Sequence, residues 1–289
     1  MRTGARSVRQ LVGEAADRFG DLDVPEPVAS AEVLLGELLG VRRSDLALRE
    51  EPLTEEQAAL FGTWISRRLQ REPVQRILGY AYFRNLRLEL DAYTLIPRPD
   101  TESAVDAALE AVDHRDGSYR VLDVGTGSGA IAISIAQERP FCDVHATDDS
   151  GGALRIARRN AMRAGVPVRF HQVDLAPGPD ALEGKVDVLV SNPPYIRSAD
   201  VLELAPEVRD WDPRSALDGG SDGLDFYRRI FAEAGSLLAD GADVVLEVGD
   251  EQGEDVLELG RRAGYAPLGT HADLAGTPRA VLLRWGTGR

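Results

Sequence analysis

Apolar residues recur at helical spacing through the first 79 positions of the chain. In residues 29–40, one predicted helical face carries Ala31, Leu34, Leu35, Leu38 and Leu39. Thr54 and Gln57 have the spacing of a capping box, which predicts a further helix ending near residue 71. Several short helices in succession predict a small helical bundle over residues 1–79.

The pattern changes at residue 80, where a period of two replaces the helical period. The run YFRNLRLEL (82–90) alternates apolar and polar residues, and Asp91-Ala92 and then YTLIP follow it. Such alternation is typical of a strand with one buried face. We therefore predict a β-hairpin over residues 80–97 that links the helical bundle to the rest of the chain.

From residue 98 to residue 289 the chain predicts a larger domain. A helix follows LIPRPDTE and ends near residue 112, and from residue 119 strands and helices alternate. The predicted strands are YRVLDV, CDVHAT, VRFHQV, VDVLVS, ADVVLEV, YAPLGT and RAVLLRW. This alternation indicates an α/β domain whose mostly parallel sheet is covered by helices on both faces. The last two strands, which we expect to be separated by a long loop, are predicted to form an antiparallel edge.

Composition narrows the classes of function. No apolar run approaches the roughly 18 residues of a membrane span, and the first residues lack a signal-peptide core, so a cytoplasmic protein without membrane contact is expected. Cys142 is the single cysteine, and the four histidines lack metal-ligand spacing, so we predict neither a disulfide nor a metal site. A formal net charge of −15 argues against broad attraction to nucleic acid.

The segment LDVGTGSGA (122–130) lies between a predicted strand and a predicted helix. Gly125 and Gly127 permit a tight turn and the close approach of a ligand, and the start of the helix offers free N–H groups. Asp148 ends the next strand, where a carboxylate can accept two hydrogen bonds from a ribose diol. Since Gly125, Gly127 and Ala130 also fit a dinucleotide-binding fingerprint, the turn alone does not decide the cofactor.

A third strand end carries Asp174 and Leu175, in HQVDL. A carboxylate at this position can meet the amino group of an adenine, and the leucine can lie against the ring. Taken alone, Asp174 is equally typical of a solvated turn.

The fourth strand end is SNPPYI (191–196). Two prolines fix their φ angles and donate no backbone hydrogen bond, so this loop is stiff. The Asn192 oxygen and a carbonyl of the Pro-Pro segment can accept the two N–H groups of a planar NH₂, which aims the nitrogen lone pair at an electrophilic methyl group. Tyr195 can stack on that planar group. In isolation the tetrapeptide also fits a strand-terminating turn, but the three cofactor-type strand ends favour the catalytic interpretation.

Together, DVGTGSGA, Asp148 and SNPPYI resemble the class I S-adenosylmethionine-dependent methyltransferases that modify planar NH₂ nitrogens. Within that group the chain resembles the bacterial release factor glutamine methyltransferases, the HemK/PrmC family. Residues 72–102 are similar to the family's interdomain hairpin with its following motif, and residues 208–230 to its segment after NPPY. Residues 1–79 resemble its substrate-recognition bundle. Asp212-Pro213 departs from the family, which usually has Glu-Pro.

The resemblance implies a Rossmann-like methyltransferase domain and S-adenosyl-L-methionine as the cofactor. It implies methylation of N5 of the glutamine in the Gly-Gly-Gln motif of peptide chain release factors. We expect a monomer with no direct nucleic-acid partner. The cofactor-binding residues it implies are Gly125, Thr126, Gly127, Ser128, Gly129, Asp148, Asp174, Leu175 and Asn192. The residues it implies for the target glutamine are Asn192, Pro193, Pro194 and Tyr195, of which Asn192, Pro193 and Tyr195 would be catalytic. Arg98 and Glu102 would shape the pocket entrance or, equally well, form an interdomain salt bridge.

Other interpretations stay open on sequence grounds. Methyltransferases of nucleic acids or of a ribosomal protein glutamine could use the same NPPY site, although the net charge of −15 argues against a basic recognition domain. An NAD-dependent oxidoreductase explains the glycine-rich turn and Asp148 but gives NPPY no task. A non-catalytic binding module would need a broken site, and every expected polar residue is present.

Overall fold

The structure is a computed structural model that describes residues 7–49, 51–114, 119–175, 182, 184–273 and 275–286. The backbone divides into two compact units, Met1–Gly79 and Tyr80–Arg289. Among the residues described, no helix combines the length and the apolarity that crossing a membrane would require.

The first unit is helical. Its α-helices are α1 (Val8–Gly20), α2 (Pro27–Leu39), α3 (Glu55–Leu69) and α4 (Val74–Leu78), with a 3₁₀ turn at Arg43–Leu48. The predicted capping box is confirmed, because the Thr54 side chain accepts from the Gln57 backbone and the Gln57 side chain accepts from the Thr54 backbone. Phe19, Leu34 and Leu35 are fully buried and centre the apolar core of this unit.

The second unit opens with a β-hairpin, made of β1 (Tyr80–Phe83) and β2 (Leu86–Glu89). The hairpin is shorter than the predicted span of residues 80–97, and YTLIP (93–97) forms no strand. The chain reverses at Arg84, whose φ of 49° is stabilised by distant acids. The Arg84 backbone N–H donates to Glu102, and its guanidinium binds Asp106 and Glu138. These partners are far along the chain, so alternation of apolar and polar residues does not locate the turn.

A seven-stranded sheet forms the centre of the second unit, with the strand order β5-β4-β3-β6-β7-β9-β8. Its strands are β3 (Arg120–Val124), β4 (Asp143–Asp148), β5 (Arg169–Gln172), β6 (Val186–Ser191), β7 (Leu238–Glu247), β8 (Tyr265–Ala272) and β9 (Pro278–Trp285). The helices of this unit are α5 (Thr101–Asp113), α6 (Ala130–Glu138), α7 (Gly151–Ala164), α8 (Pro206–Arg209), α9 (Asp225–Glu233) and α10 (Gly253–Arg262).

The predicted α/β fold with a mostly parallel sheet is confirmed, since strands β3 to β7 pair in parallel. The antiparallel strand is β9, which lies between β7 and the edge strand β8. It therefore lies one position inside the edge. The prediction of a long loop between the last two strands is wrong, because both strands extend further than their apolar runs and the connection is short.

Apolar side chains cover both faces of the sheet. Val121, Val188 and Val190 belong to one core cluster, whereas Leu122 and Leu189 belong to the other. Alternate residues of a strand point to opposite faces, so the two clusters lie on opposite sides of the sheet. Helices α5 and α6 contribute to the first cluster and helices α9 and α10 to the second. Because apolar side chains fill both faces, we expect polar, ligand-binding groups at the carboxyl ends of β3, β4, β6 and β7.

Candidate functional site

A cavity of about 380 Å³ lies at this carboxyl edge, within the second unit. Its walls come from the strand ends, from residues 92–101, from residues 213–216 and from helix α9. The sequence-predicted site residues that line it are Arg98, Gly125, Thr126, Gly127, Ser128, Asp148, Asp174, Leu175, Asn192, Pro193 and Pro194. Gly129, Glu102 and Tyr195 are not among its lining residues.

The glycine-rich turn exposes backbone to the cavity. Gly125 and Gly127 have φ values of 73° and 56°, a conformation that L side chains rarely adopt. A Cβ placed on either residue would meet no atom of the described chain within 4 Å, so open space lies above the turn. Gly129 differs, because a Cβ there would come within 2.7 Å of Ile133. Gly129 therefore serves close contact inside helix α6.

Asp123 anchors this turn from below, and sequence reasoning missed it. It is fully buried, and its Oδ2 accepts from Thr126 Oγ1 at 2.6 Å and from the Ala132 backbone at 3.1 Å. Its Oδ1 has no partner among the described residues. Burial raises the pKa of Asp123 to about 7, although the bonds from Thr126 and Ala132 act in the opposite direction. A carboxylate inside an apolar strand, directly before a glycine-rich turn, is the signal that would have identified it.

Asp148 lies at the end of β4 and lines the cavity. Its two carboxylate oxygens accept from the Gly127 backbone at 2.8 Å and from the Ser150 backbone at 2.9 Å. Burial raises the pKa of Asp148, and these two bonds oppose the rise. Because each carboxylate oxygen has a second lone pair, Asp148 can still accept two hydroxyl groups.

Asp174 and Leu175 lie side by side but differ in environment. Asp174 is exposed, and its carboxylate pairs with Arg229 at 3.1 Å. Leu175 is buried, and the Thr147 hydroxyl donates to its carbonyl at 2.8 Å. Phe226 also lines the cavity, so Leu175 belongs to an apolar section of its wall. Such a section suits a flat aromatic ring.

The side-chain amide of Asn192 is oriented by a neighbouring hydroxyl. Its Nδ2 donates to Thr101 Oγ1 at 3.0 Å. Thr101 is buried at the start of helix α5, and both side chains line the cavity. This bond leaves the Asn192 Oδ1 acceptor for a ligand. Sequence reasoning missed Thr101, because a distant helix brings it to NPPY.

Glycines pack directly against the backbone of the NPPY loop. A Cβ on Gly219 would lie 2.7 Å from the Pro194 carbonyl oxygen, and one on Gly223 would lie 2.4 Å from that of Tyr195. The Tyr195 carbonyl also accepts from Gln252 Nε2 at 3.0 Å. The prolines stiffen the loop and these contacts fix its position. The segment after NPPY that contains both glycines therefore has a structural task.

The Tyr195 ring packs behind the loop. It adjoins the core cluster on that side of the sheet, and a Cβ on Gly249 would come within 3.0 Å of the ring. Burial raises the pKa of the Tyr195 phenol above its ordinary value. Tyr195 is not among the lining residues, and these contacts tie the loop to the core cluster.

Glu247 is a third residue that sequence reasoning missed. It ends β7 with a relative exposure of 1%, and its Oε2 has no partner among the described residues. Burial raises its pKa to about 7, while the neighbouring Thr101 and Tyr195 side chains lower it. An acid at the end of an apolar run, ADVVLEV, is the sequence signal.

Arg98 and Glu102 have separate partners, both within the second unit. Arg98 forms an ion pair with Asp212 at 2.6 Å, and the Asp212 side chain is fully buried. Glu102 accepts from the Arg84 backbone in the hairpin at 3.1 Å. Arg98 therefore borders the cavity, whereas Glu102 fixes the hairpin turn. Asp212, the departure from the family's Glu-Pro, keeps a carboxylate for this arginine.

Two protein-family models match parts of this chain. Residues 10–79 match the PrmC N-terminal domain, and residues 100–207 match the methyltransferase small domain. A release factor glutamine methyltransferase of Agrobacterium fabrum is 39% identical over 274 residues, covering 93% of this chain and 94% of the relative. One of Moorella thermoacetica is 42% identical over 282 residues, covering 96% and 98%. A methyltransferase structure from Pyrococcus furiosus shares the fold, with a TM-score of 0.51, 20% identity, and coverage of 81% of this chain and 100% of that one.

Proposed function

Since this chain belongs to the family of release factor glutamine methyltransferases, we propose that it transfers a methyl group from S-adenosylmethionine to a release factor glutamine. The acceptor atom is N5 of the glutamine in the Gly-Gly-Gln motif. The observation that carries the proposal is the Asn192 amide, whose Nδ2 is engaged by Thr101 at 3.0 Å while its Oδ1 is left for a substrate N–H.

The cavity fits S-adenosylmethionine in size and in chemistry. Its volume of about 380 Å³ lies within the range of about 300–1,000 Å³ that small-molecule sites occupy. Asp148 offers free lone pairs to a ribose diol. Leu175 and Phe226 offer apolar surface to an adenine, and the open space above Gly125 and Gly127 admits the methionine part. These features support binding of this cofactor by the residues that the resemblance implies.

The NPPY loop supplies hydrogen-bond acceptors for the target amide. Asn192 Oδ1 accepts one N–H of the glutamine, and the Pro193 carbonyl accepts the other. Neither proline carries an N–H, so neither can donate to the substrate. Because Gly223 and Gln252 fix the loop from behind, these acceptors are already in place before the substrate arrives. Preorganised groups of this kind lower the entropic part of the barrier.

Chemistry at an amide nitrogen needs polarisation, because the lone pair of the nitrogen is delocalised into the carbonyl. When bound, S-adenosylmethionine supplies a methyl group on a positively charged sulfur. Asn192 and Pro193 pull on the two N–H groups, which localises the lone pair and stabilises the positive charge that develops on nitrogen. No histidine or lysine lines the cavity among the described residues. The contribution of the chain is therefore alignment and polarisation, and the nitrogen proton that the methyl group replaces leaves to solvent.

We also propose a division of labour between the two units. Every described residue that lines the cavity belongs to the unit Tyr80–Arg289. The helical unit Met1–Gly79 therefore supplies none of the cavity wall described above. Its match to the PrmC N-terminal domain supports a role in recognising the protein substrate.

Purified release factor, the enzyme and labelled S-adenosylmethionine test the proposal, with the label mapped by mass spectrometric fragmentation. We expect one methyl group on the Gly-Gly-Gln glutamine. Asn192→Ala should fold, bind the cofactor and lose about 10²–10³-fold in single-turnover rate, because one positioned polar group is removed. Asn85→Ala, in the hairpin turn outside the cavity, is the matched control and should keep the wild-type rate.

Two outcomes would count against the proposal. Label on DNA, on ribosomal RNA or on a ribosomal protein glutamine, with the release factor untouched, would assign the chain a different substrate. A wild-type rate in Asn192→Ala would remove Asn192 from the reaction.

A further inference from the structure

Glu247 and Asn192 emerge side by side from neighbouring strands. Strands β6 and β7 are parallel, with Ser191 opposite Leu246, so the next residue on each strand is Asn192 and Glu247. Thr101 adjoins both, because it accepts from Asn192 Nδ2 at 3.0 Å and lies close enough to Glu247 to lower its pKa. A buried acid with one unpartnered oxygen is costly to keep, and the chemistry described above gives it no task.

The Thr101 hydroxyl can couple the hydrogen-bonding role of Glu247 to the orientation of the Asn192 amide. It carries a single proton, so it donates to one partner and accepts from the other. An ionised carboxylate only accepts, so a Thr101 hydroxyl that donates to Glu247 must accept from Asn192. The Asn192 amide then places Nδ2 toward Thr101, as the structure shows, and Oδ1 on the opposite side.

We propose that Glu247 is a positioning residue for methyl transfer, which acts through Thr101 to keep the Asn192 Oδ1 facing the substrate nitrogen. This inference rests on the proposed function. Without the charge on Glu247, the donor and acceptor roles along Glu247, Thr101 and Asn192 are free to reverse. A neutral Glu247 can donate to Thr101, Thr101 can then donate to Asn192 Oδ1, and the amide turns its NH₂ to the substrate. An NH₂ group cannot accept a substrate N–H.

Because Glu247 is buried, we expect its charge, and with it the orientation of Asn192, to depend on pH near neutrality. Burial raises the pKa of Glu247 to about 7, with a smaller rise from Asp100, while Thr101, Arg279 and Tyr195 lower it. On the side of helix α9, the Tyr227 hydroxyl donates to the Glu247 backbone carbonyl at 2.8 Å. The methyl-transfer rate should therefore rise with pH as Glu247 ionises, with a midpoint near 7.

The first test compares wild type with Glu247→Gln. Glutamine keeps the size of the side chain, but it can both donate and accept, so it does not fix which way the Thr101 hydroxyl donates. We expect kcat at pH 8 to fall at least about tenfold, with an S-adenosylmethionine Kd within about threefold of wild type, because misdirection of one group affects the reaction geometry. The rise of kcat with pH near 7 should disappear. Asp243→Asn is the matched control, since Asp243 is a buried carboxylate on the same strand, ion-paired with Arg284 at 2.8 Å. It should retain the pH profile of wild type.

A second measurement does not depend on turnover. In protein labelled with ¹⁵N, the side-chain amide signal of Asn192, assigned by its loss in Asn192→Ala, should shift with pH around 7. The shift should persist in Asp243→Asn and vanish in Glu247→Gln. If Glu247→Gln fails to fold, Thr101→Val and Thr101→Ser carry the test. Valine should abolish the shift and lower kcat, and serine, which restores a hydroxyl, should recover most of both.

The outcomes separate this inference from the proposed function. A wild-type enzyme that methylates no release factor glutamine would overturn both. An active wild type, together with a Glu247→Gln variant whose kcat and pH profile match it, would overturn the positioning role alone. An Asn192 amide signal whose pH dependence is the same in the Glu247 and Thr101 variants as in wild type would also overturn the positioning role.

Discussion

Replacing Asp123 by Asn should change how the stability of the protein depends on pH. Asn keeps one carbonyl oxygen, which can accept from Thr126 and Ala132 as the Asp123 Oδ2 does at 2.6 and 3.1 Å. The substitution thus removes the charge and leaves both acceptor contacts possible. In the wild type, burial raises the pKa of Asp123 to about 7.

The direction of the effect follows from proton binding. Between its ordinary pKa of about 3.9 and the folded pKa of about 7, Asp123 holds its proton in the folded state and has lost it in the unfolded state. Wild-type stability therefore falls as pH rises through this window and levels off above it. From pH 5.5 to 8.5 the contribution of Asp123 amounts to a loss of about 2 kcal/mol, a loss that Asp123→Asn does not show. Glu247 acts in the same direction in both proteins, so it cancels in the comparison.

Urea unfolding at the two pH values, followed by circular dichroism, measures this difference. The free energy of unfolding of the variant relative to wild type should increase by about 2 kcal/mol between pH 5.5 and 8.5. A difference between the two proteins that stays constant with pH would refute the reasoning. It would mean that Asp123 ionises in the folded protein without the cost that its burial indicates.

Three further predictions concern the cofactor, the loop and the helical unit. Asp148→Ala should weaken S-adenosylmethionine binding at least about tenfold in calorimetry, since each hydrogen bond to a charged group contributes about 1.5–3 kcal/mol; wild-type affinity would exclude a ribose contact. Gly223→Ala should destabilise the protein more than Gly241→Ala, because both glycines have positive φ but only a Cβ at Gly223 meets the Tyr195 carbonyl, and equal unfolding midpoints would contradict this. A fragment beginning at Tyr80 should bind the cofactor like the full chain and lose affinity for release factor; unchanged kinetics on intact release factor would refute that division.

The sequence predicted those parts of the site that short segments encode. The strand-turn-helix around Gly125, the acid Asp148 and the NPPY loop are local patterns, and the structure brings them to one cavity. Their partners come from distant segments. Thr101 reaches Asn192 from a helix 91 residues earlier in the chain. Gln252 reaches Tyr195 from 57 residues later. Spacing along the chain carries no information about such pairs.

The same limit explains the features that the sequence predictions did not anticipate. The hairpin reverses at Arg84 because its turn is held by Glu102, Asp106 and Glu138, which alternation of apolar residues cannot reveal. The Tyr195 ring contacts the core cluster and lies beside Gly249, which is 54 residues later in the chain. In each case a long-range contact decides the local geometry.

The arrangement of acceptors in the NPPY loop also explains why a carboxamide suits this site. A primary amide is planar and presents two N–H groups in one plane, whereas a lysine ammonium presents three and has no lone pair. The loop offers the Asn192 Oδ1 and a proline carbonyl, and its prolines carry no N–H that could compete for them. With Thr101 engaging the NH₂ end of Asn192, the Oδ1 acceptor is left for the substrate. Close contact of Gly219 and Gly223 with the backbone prevents the loop from adapting to another shape. Selectivity for a flat NH₂ group therefore follows from the absence of proline N–H donors and from the fixed shape of the loop, as much as from the bonds that the loop makes.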